Sequence, residues 1–318
     1  MKKFINDVGL VEEQMIQGMV KAYPQYLRKL DCGNVVVRAH KKEGKVALIS
    51  GGGSGMGLEA AKILGRKHKI ILMGRTVAKL ENAVKQLRDA GIEAEAYPAD
   101  ASHRESVRQL AAYASQQGEV KVLIHAAGVS PHMTDAQKIF EINAIGTMNM
   151  DEEFVKIMPE GSCILNVSSM SAYMLPADKA PKQIYKLSLS DAEAFRLAVN
   201  QMLSQVPPEQ QTGTAYTLSK NFVLWYTARM AVKFGKQGIR IVSISPGTFK
   251  TPMGEIEGKE AASFAERGAL GRMGEPEEIA EMMAFMVSDE CSYLTGVDIL
   301  YDGGSVAALQ AMREDRAQ

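Results

Sequence analysis

From Lys45 onward, short apolar runs alternate with stretches of helical periodicity, and no other feature constrains the fold as strongly. KVALIS (45–50), KIILM (69–73), EAEAYP (93–98), KVLIHA (121–126), SCILNVS (162–168), IRIVSIS (239–245) and GVDILYDG (296–303) read as strands. Between them GLEAAKILGRK, VAKLENAVKQLRDA, RESVRQLAAYASQQ, the long DAQKIFEINAIGTMNMDEEFVKIM, AYTLSKNFVLWYTARMAVKFG and PEEIAEMMAFMVS read as helices. Strands this apolar must be buried on both faces, and strands in this rhythm are joined by helical crossovers. The expected class is α/β, a Rossmann-type doubly wound parallel sheet with helices on both faces.

Two segments fall outside the rhythm and divide the chain. Residues 1–44 form an N-terminal extension, and residues 45–318 form the main domain, with a helical insertion at 172–213. In the extension, DVGLVEEQMIQGMVKAYP predicts a helix, followed by an irregular or extended piece. In the insertion, SDAEAFRLAVNQMLSQ predicts a helix whose Ser190 and Glu193 are spaced as a capping box. Formal net charge is zero, which argues against a nucleic-acid or acidic-membrane partner. No run nears the roughly 18 apolar residues of a membrane span, and acids enter the N-terminal stretch too early for a signal peptide. Cys32, Cys163 and Cys291 are far apart, as expected of reduced thiols in a cytoplasmic chain. The five histidines show no zinc spacing, so no metal is assigned, and His125 and His132 read as structural or loop residues.

The stretch SGGGSGMG (50–57) joins the first strand to the first helix. Gly51, Gly55 and Gly57 stand in a G-x-x-x-G-x-G pattern, a variant of the dinucleotide fingerprint that brings pyrophosphate close to the backbone. The helix that follows offers unpaired N–H groups and a positive dipole end. At the end of the second strand an acid would hold the adenosine ribose of NAD. Gly74 and Arg75 stand there instead, and a cation favours a 2′-phosphate, hence NADP(H), with NAD(H) as the alternative. Asp100 and Ala101 follow the third strand, where the Asp100 carboxylate could accept from the adenine amino group.

Reduction of a carbonyl by hydride also needs a proton donor. Among ten tyrosines only Tyr216 has a lysine four residues later, Lys220 in AYTLSK. Side chains so spaced share a helix face, and the ammonium would lower the phenol pKa toward working pH.

These motifs, in this order, resemble the short-chain dehydrogenase/reductase family over about Lys45 to Ser305. SGGGSGMG is similar to that family's T-G-x-x-x-G-x-G, with Ser50 for Thr, and HAAG (125–128) to its N-A-A-G, with His125 for Asn. EINAIG places Asn143 at the family's asparagine, and LNVSSMS places Ser169 at its serine, with Ser168 and Ser171 close by. SPGTFKTPM, GRMGEPEEIA and LTGVDILYDGG are similar to its C-terminal part. The resemblance implies Tyr216 as general acid in reduction and base in oxidation, and Lys220 as the group that lowers its pKa and holds the nicotinamide ribose. It implies Ser169 on the substrate oxygen and Asn143 holding a water that links Lys220 to solvent. Cofactor contacts are implied at Ser50, Gly51, Ser54, Gly55, Met56, Gly57, Ala126, Ala127, Gly128, Pro246, Gly247 and Thr251. A small ketone or alcohol substrate and a homo-oligomer are implied as partners.

The insertion departs from the common family pattern. It resembles the one in some bacterial hydroxysteroid dehydrogenase/carbonyl reductases, which implies a bulky steroid-like ketone, with a small keto or sugar-derived compound as the alternative. Met174, Leu175, Phe195 and Leu197 are then expected to line a pocket under a lid, or else to serve packing or an interface. MKKFINDV and GKVALISGGGSG also resemble the start of a dihydroxyacetone kinase subunit, and that likeness ends at Met56-Gly57. A dihydroxyacetone-binding or kinase-related protein is the alternative from another class.

Overall fold

The computed structural model describes residues 44–317, without the side chains of 257, 259–261, 316 and 317. Ahead of residue 44 it describes the backbone of β1 (Lys3–Asn6), β2 (Gly9–Glu12), β3 (Arg28–Lys29) and β4 (Val35–Val36). β1 and β2 pair antiparallel, as do β3 and β4. The helix expected to begin at Asp7 is therefore corrected at Gly9–Glu12. Gly9 weakens a helix by about 1 kcal/mol relative to Ala, and pairing with Lys3–Asn6 gives these backbone groups partners. The remainder of that expected helix lies outside the described residues.

Seven strands form the parallel sheet: β5 (Lys45–Ser50), β6 (Lys69–Gly74), β7 (Ala94–Pro98), β8 (Glu119–His125), β9 (Cys163–Val167), β10 (Arg240–Pro246) and β11 (Asp298–Tyr301). Their order is β11-β10-β9-β8-β5-β6-β7. The direction of winding reverses between β5 and β8, so the crevice beyond their carboxyl ends is where such a sheet binds ligands. Val46 to Ile49, Ile70 to Leu72 and Leu123 to Ile124 are at or near zero exposure, as two-sided coverage requires.

One face is covered by α1 (Gly55–Leu64), α2 (Val77–Asp89) and a helix at Pro276–Val287. The other is covered by α3 (Arg104–Gln117), by α4 (Ala136–Phe140) and α5 (Gly146–Phe154), and by a long helix at Pro208–Phe234. Where one continuous helix is expected over 135–158, a π turn at Glu141–Ile145 separates α4 from α5. Such turns shift the helical phase by one residue and cluster at functional sites. Among the described residues no helix is long and apolar enough to cross a membrane.

The insertion contains two helices, α6 (Lys182–Leu187) and α7 (Ala192–Ser204). α7 starts one residue from the expected cap. Asp191 accepts from the backbone N–H groups of Glu193 and Ala194, because its carboxylate reaches both donors. The long helix, hereafter α8 (Pro208–Phe234), starts seven residues before the expected Ala215, with Pro208 in its first turn, where a missing N–H costs nothing. Two helices that apolar periodicity did not mark are α9 (Pro252–Arg267) and a C-terminal one at Ser305–Ala317.

Most of the insertion's apolar side chains are core, not pocket. Phe195 is fully buried, with its ring 5.4 Å from Phe140 and 4.8 Å from Phe222. Leu175 packs against the same core, Leu197 is 61% exposed, and of the four residues expected in a pocket only Met174 lines one. Phe195→Ala is expected to lower folding stability by about 3 to 5 kcal/mol, measured by urea unfolding. A loss below about 1 kcal/mol would mean that α7 is dispensable to the core.

Candidate active site

The glycine loop closes on itself so tightly that side chains are excluded at three points. Gly51 has φ +70, and a Cβ there would lie 2.8 Å from the Ala126 carbonyl carbon and the Ala127 nitrogen. Gly55 has φ +56 and faces the Thr251 side chain, while a Cβ on Gly57 would meet the Gly51 oxygen at 2.8 Å. Positive φ and such approach are open to glycine alone among common residues. Ser54 stands at the N-cap of α1 in extended conformation, and its side chain makes no cap bond. The first N–H groups of α1 therefore keep their capacity for an anion.

A cavity of about 280 Å³ lies against this loop. Gly51, Ser54, Gly55, Met56 and Gly57 of the loop line it, together with Arg75, Asp100, Ala101, Ala126, Ala127, Gly128 and Thr251. Ser50 does not reach it. That residue is fully buried, and its hydroxyl bonds His125 Nδ1 at 2.7 Å and accepts from the Ala127 N–H at 3.1 Å. Ser50 thus ties the glycine loop to the HAAG turn from behind. Asp100 Oδ1 accepts from the Ser102 N–H and hydroxyl. Partial burial pushes this carboxyl up, but the bonds from Ser102, with the charges of His103 and Arg75, outweigh it and hold it below its ordinary value. Lys79, which sequence inspection overlooked, lines the same cavity. A lysine in the first turn of α2, where no acid offsets it, stands at the unfavourable end of the helix dipole. That misplacement is the signal which could have found it.

A second cavity of about 320 Å³ adjoins the first through Met56, Ala126, Gly128, Val129 and Thr251, which line both. Ser169, Tyr216, Lys220, Pro246 and Gly247 face it. Tyr216 and Lys220 lie one turn apart on α8, and the ammonium sits 5.8 Å from the centre of the Tyr216 ring. Lys220 Nζ donates to the Val167 carbonyl at 3.0 Å, and burial lowers its pKa to about 8. Ser168 also lines the cavity, but its hydroxyl is committed: it donates to the Lys220 carbonyl at 2.8 Å. Ser169, one residue on, lines the cavity, and its Oγ accepts from the Ser171 N–H.

Asn143 sits buried in the π turn. Its Oδ1 accepts from the Val129 N–H at 2.9 Å, and its Nδ2 donates to the Val129 carbonyl at 3.0 Å and to Ser219 Oγ at 3.3 Å. A Cβ on Gly128 would stand 3.1 Å from Asn143 Oδ1 and 3.4 Å from Lys220 Nζ, so Gly128 is the gap through which these two groups approach. Thr251 caps α9, its hydroxyl accepting from the Gly254 N–H at 3.1 Å, and its methyl carbon is what Gly55 faces. The rest of the lining is mixed, with apolar Met56, Met170, Met174, Met253 and Phe264 beside polar His132, Ser168, Ser171, Thr217 and Thr248.

These residues fit a dinucleotide. The three glycines leave open a cradle that a Cβ would fill, the uncapped start of α1 suits a pyrophosphate, and the two adjoining cavities would give room for an adenosine end and a reacting end.

Comparison with known proteins agrees with this fold. A family model described as short chain dehydrogenase matches residues 45–180, and one described as enoyl-(acyl carrier protein) reductase matches residues 197–306. The short-chain dehydrogenase/reductase bsc3 of Alternaria brassicicola is 29% identical over 270 residues, covering 82% of this chain and 96% of that protein. The cis-4-hydroxycyclohexanecarboxylate dehydrogenase of Sinomonas cyclohexanicum is 27% identical over 277 residues, covering 83% and 97%. A short chain dehydrogenase from Burkholderia cenocepacia, solved in complex with NADP, superposes with a TM-score of 0.66 at 22% identity, covering 83% of this chain and 98% of that one.

Proposed function

The chain belongs to the short-chain dehydrogenase/reductase family and is an oxidoreductase of alcohol and ketone groups, and from that premise we propose that it interconverts a ketone and a secondary alcohol on an apolar skeleton, with NADP(H). The observation that carries this reading is that the cavity lined by Tyr216, Lys220 and Ser169 adjoins, through Met56, Ala126, Gly128, Val129 and Thr251, the cavity that lies on the glycine loop.

The nicotinamide, when bound, supplies or accepts the hydride. Everything else falls to side chains of this chain. Tyr216 gives its phenolic proton to the carbonyl oxygen in reduction and takes it back in oxidation. Ser169 donates a hydrogen bond to the same oxygen and so fixes its position. Lys220 is charged below pH of about 8, and its ammonium stabilises the phenolate that Tyr216 becomes. Asn143 holds the Val129 backbone through both its amide oxygen and its amide nitrogen, beside the Gly128 gap that faces Lys220 Nζ.

Arg75 and Lys79 support NADP(H) over NAD(H), since two cations flank the adenosine end of the cavity and no carboxylate replaces them at the end of β6. Arg75→Glu is expected to reduce the preference for NADPH over NADH by about tenfold to a hundredfold, through loss of a charge-assisted contact and addition of a repulsive one. Initial rates with each cofactor measure this, and an unchanged ratio would remove Arg75 from the 2′-phosphate site. The apolar part of the lining, Met56, Met170, Met174, Met253 and Phe264, supports a hydrophobic ketone. The relative named for cis-4-hydroxycyclohexanecarboxylate makes cyclic secondary alcohols the first class to try, with steroid-like and small sugar-derived ketones beside them. A panel of such ketones and alcohols, assayed with NADPH and NADH in parallel, tests substrate class and cofactor together. A strong NADH preference would overturn the cofactor assignment. Dihydroxyacetone incubated with ATP tests the kinase-related alternative by appearance of the phosphate ester.

A further inference from the structure

We propose that the insertion is a brace for the catalytic side chains, and that the Tyr185 hydroxyl is its principal positioning group. The proposal rests on the catalytic reading of Tyr216 given above.

Three catalytic segments come from three different elements, and the insertion reaches all of them. Tyr185, on α6, is fully buried, and its hydroxyl proton is shared between the Leu218 carbonyl at 3.2 Å and Asn221 Oδ1 at 3.1 Å. Leu218 lies between Tyr216 and Lys220 on α8, and Asn221 follows Lys220 directly. Asn221 Nδ2 in turn donates to the Ala172 carbonyl at 3.0 Å, in the short turn Met170–Met174 that Ser169 caps. One relay of two side chains therefore ties the Tyr216–Lys220 turn to the Ser169 turn. The second grip is on α7. Arg196 Nε donates to Glu141 Oε1 at 2.5 Å, and its Nη2 lies 3.4 Å from Oε2. Glu141 opens the π turn that carries Asn143, and Phe195 packs beside it on Phe140.

Packing alone does not require a hydroxyl at position 185. The ring sits 5.3 Å from Phe222 and 5.7 Å from Trp225, in an aromatic cluster that a phenylalanine would fill equally well. A hydroxyl buried there is costly unless bonded, and both of its partners belong to the catalytic turn of α8. A lid is not supported by α7 itself. Its Phe195, Val199 and Leu203 face the core, and Leu197 points to solvent. Only the ends of the insertion, at Met174 and Gly213, line the cavity.

Tyr185→Phe keeps the ring and removes the bond, so it separates positioning from packing. It is expected to lower kcat by about tenfold with the fastest ketone of the panel, since small misplacements near the reacting atoms carry such costs. NADPH affinity, read by cofactor fluorescence, stays within about twofold because the glycine loop is untouched. The midpoint of phenolate appearance, followed by ultraviolet difference absorbance against the same protein carrying Tyr216→Phe, moves upward as Lys220 holds its place beside the ring less firmly. A purely structural role would lower the thermal midpoint and leave kcat and the phenolate midpoint unchanged, and that result overturns the brace. Arg196→Met, at the partly exposed second grip, is expected to lower kcat in the same way, and it carries the test if Tyr185→Phe does not fold. Wild-type turnover in Tyr216→Phe would instead remove the catalytic reading beneath the proposal. A dead Tyr216→Phe beside an unaltered Tyr185→Phe would remove the brace alone.

Discussion

Tyr216→Phe is expected to lower turnover by about a thousandfold while leaving NADPH affinity within about twofold of the native value. The ring would remain, so the wall of the cavity and the contact with the Lys220 ammonium at 5.8 Å persist. What is lost is the one proton positioned for the carbonyl oxygen. Ser169 cannot replace it, because an aliphatic hydroxyl is a far weaker acid than a phenol and can donate a hydrogen bond to that oxygen without giving up its proton. Lys220 cannot replace it either, since its Nζ is turned to the Val167 carbonyl. Steady-state rates in both directions and a fluorescence titration of NADPH give the two numbers. Turnover within about threefold of native would remove Tyr216 as the acid, whatever the affinity.

The second large effect is on stability in acid and belongs to His125. This imidazole is fully enclosed, and burial, then the charge of Lys220, lowers its pKa to about 3. In the unfolded chain it takes a proton near pH 6.5, about the ordinary value. The folded chain refuses that proton until about pH 3. Between these two values the unfolded state binds more protons, so stability is present above pH about 6.5 and is lost as the pH falls. The slope is about 1.4 kcal/mol per pH unit, hence a loss near 3 kcal/mol at pH 4.5 from this residue. Asp151 acts in the opposite sense: burial raises its carboxyl well above the ordinary value, so the folded chain gains a proton before the unfolded one. Comparing native protein with His125→Asn cancels that contribution. Urea unfolding at pH 7 and pH 4.5 is expected to show a smaller pH-dependent loss in the variant by about 2 to 3 kcal/mol. Equal losses in both proteins would mean that His125 becomes protonated without unfolding.

His125 also shows how a substitution readable in the sequence acquires its meaning only in the fold. HAAG differs from the family pattern by one residue, and read in isolation that residue is only a histidine at a strand end. Parallel register places Ser50 of β5 opposite it, and the resulting bond is what closes the glycine loop onto the HAAG turn. The choice between Ser168 and Ser169 has the same character. Alternation along β9 aims them at opposite faces, but the commitment of Ser168 to the Lys220 carbonyl is a contact between residues 52 positions apart. The expected capping box at Ser190 missed by one residue because Asp191 competes for the same donors and accepts from both.

The sequence by itself determined the parallel α/β architecture, the glycine loop and the pairing of Tyr216 with Lys220. Each of these is written at short range: two-sided apolar strands, glycine where the backbone must come close, and a four-residue spacing that puts two side chains on one helix face. Tertiary structure alone decided which apolar residues of 172–213 are core, that α6 and α7 grip the turns carrying Tyr216 and Asn143, and that Ser50 stands behind the glycine-loop cavity and not in it. The physical reason is that a hydrogen bond or a ring contact between distant segments has no period and no local spacing. It is set by how the helices pack on the sheet, and only the packed chain specifies it.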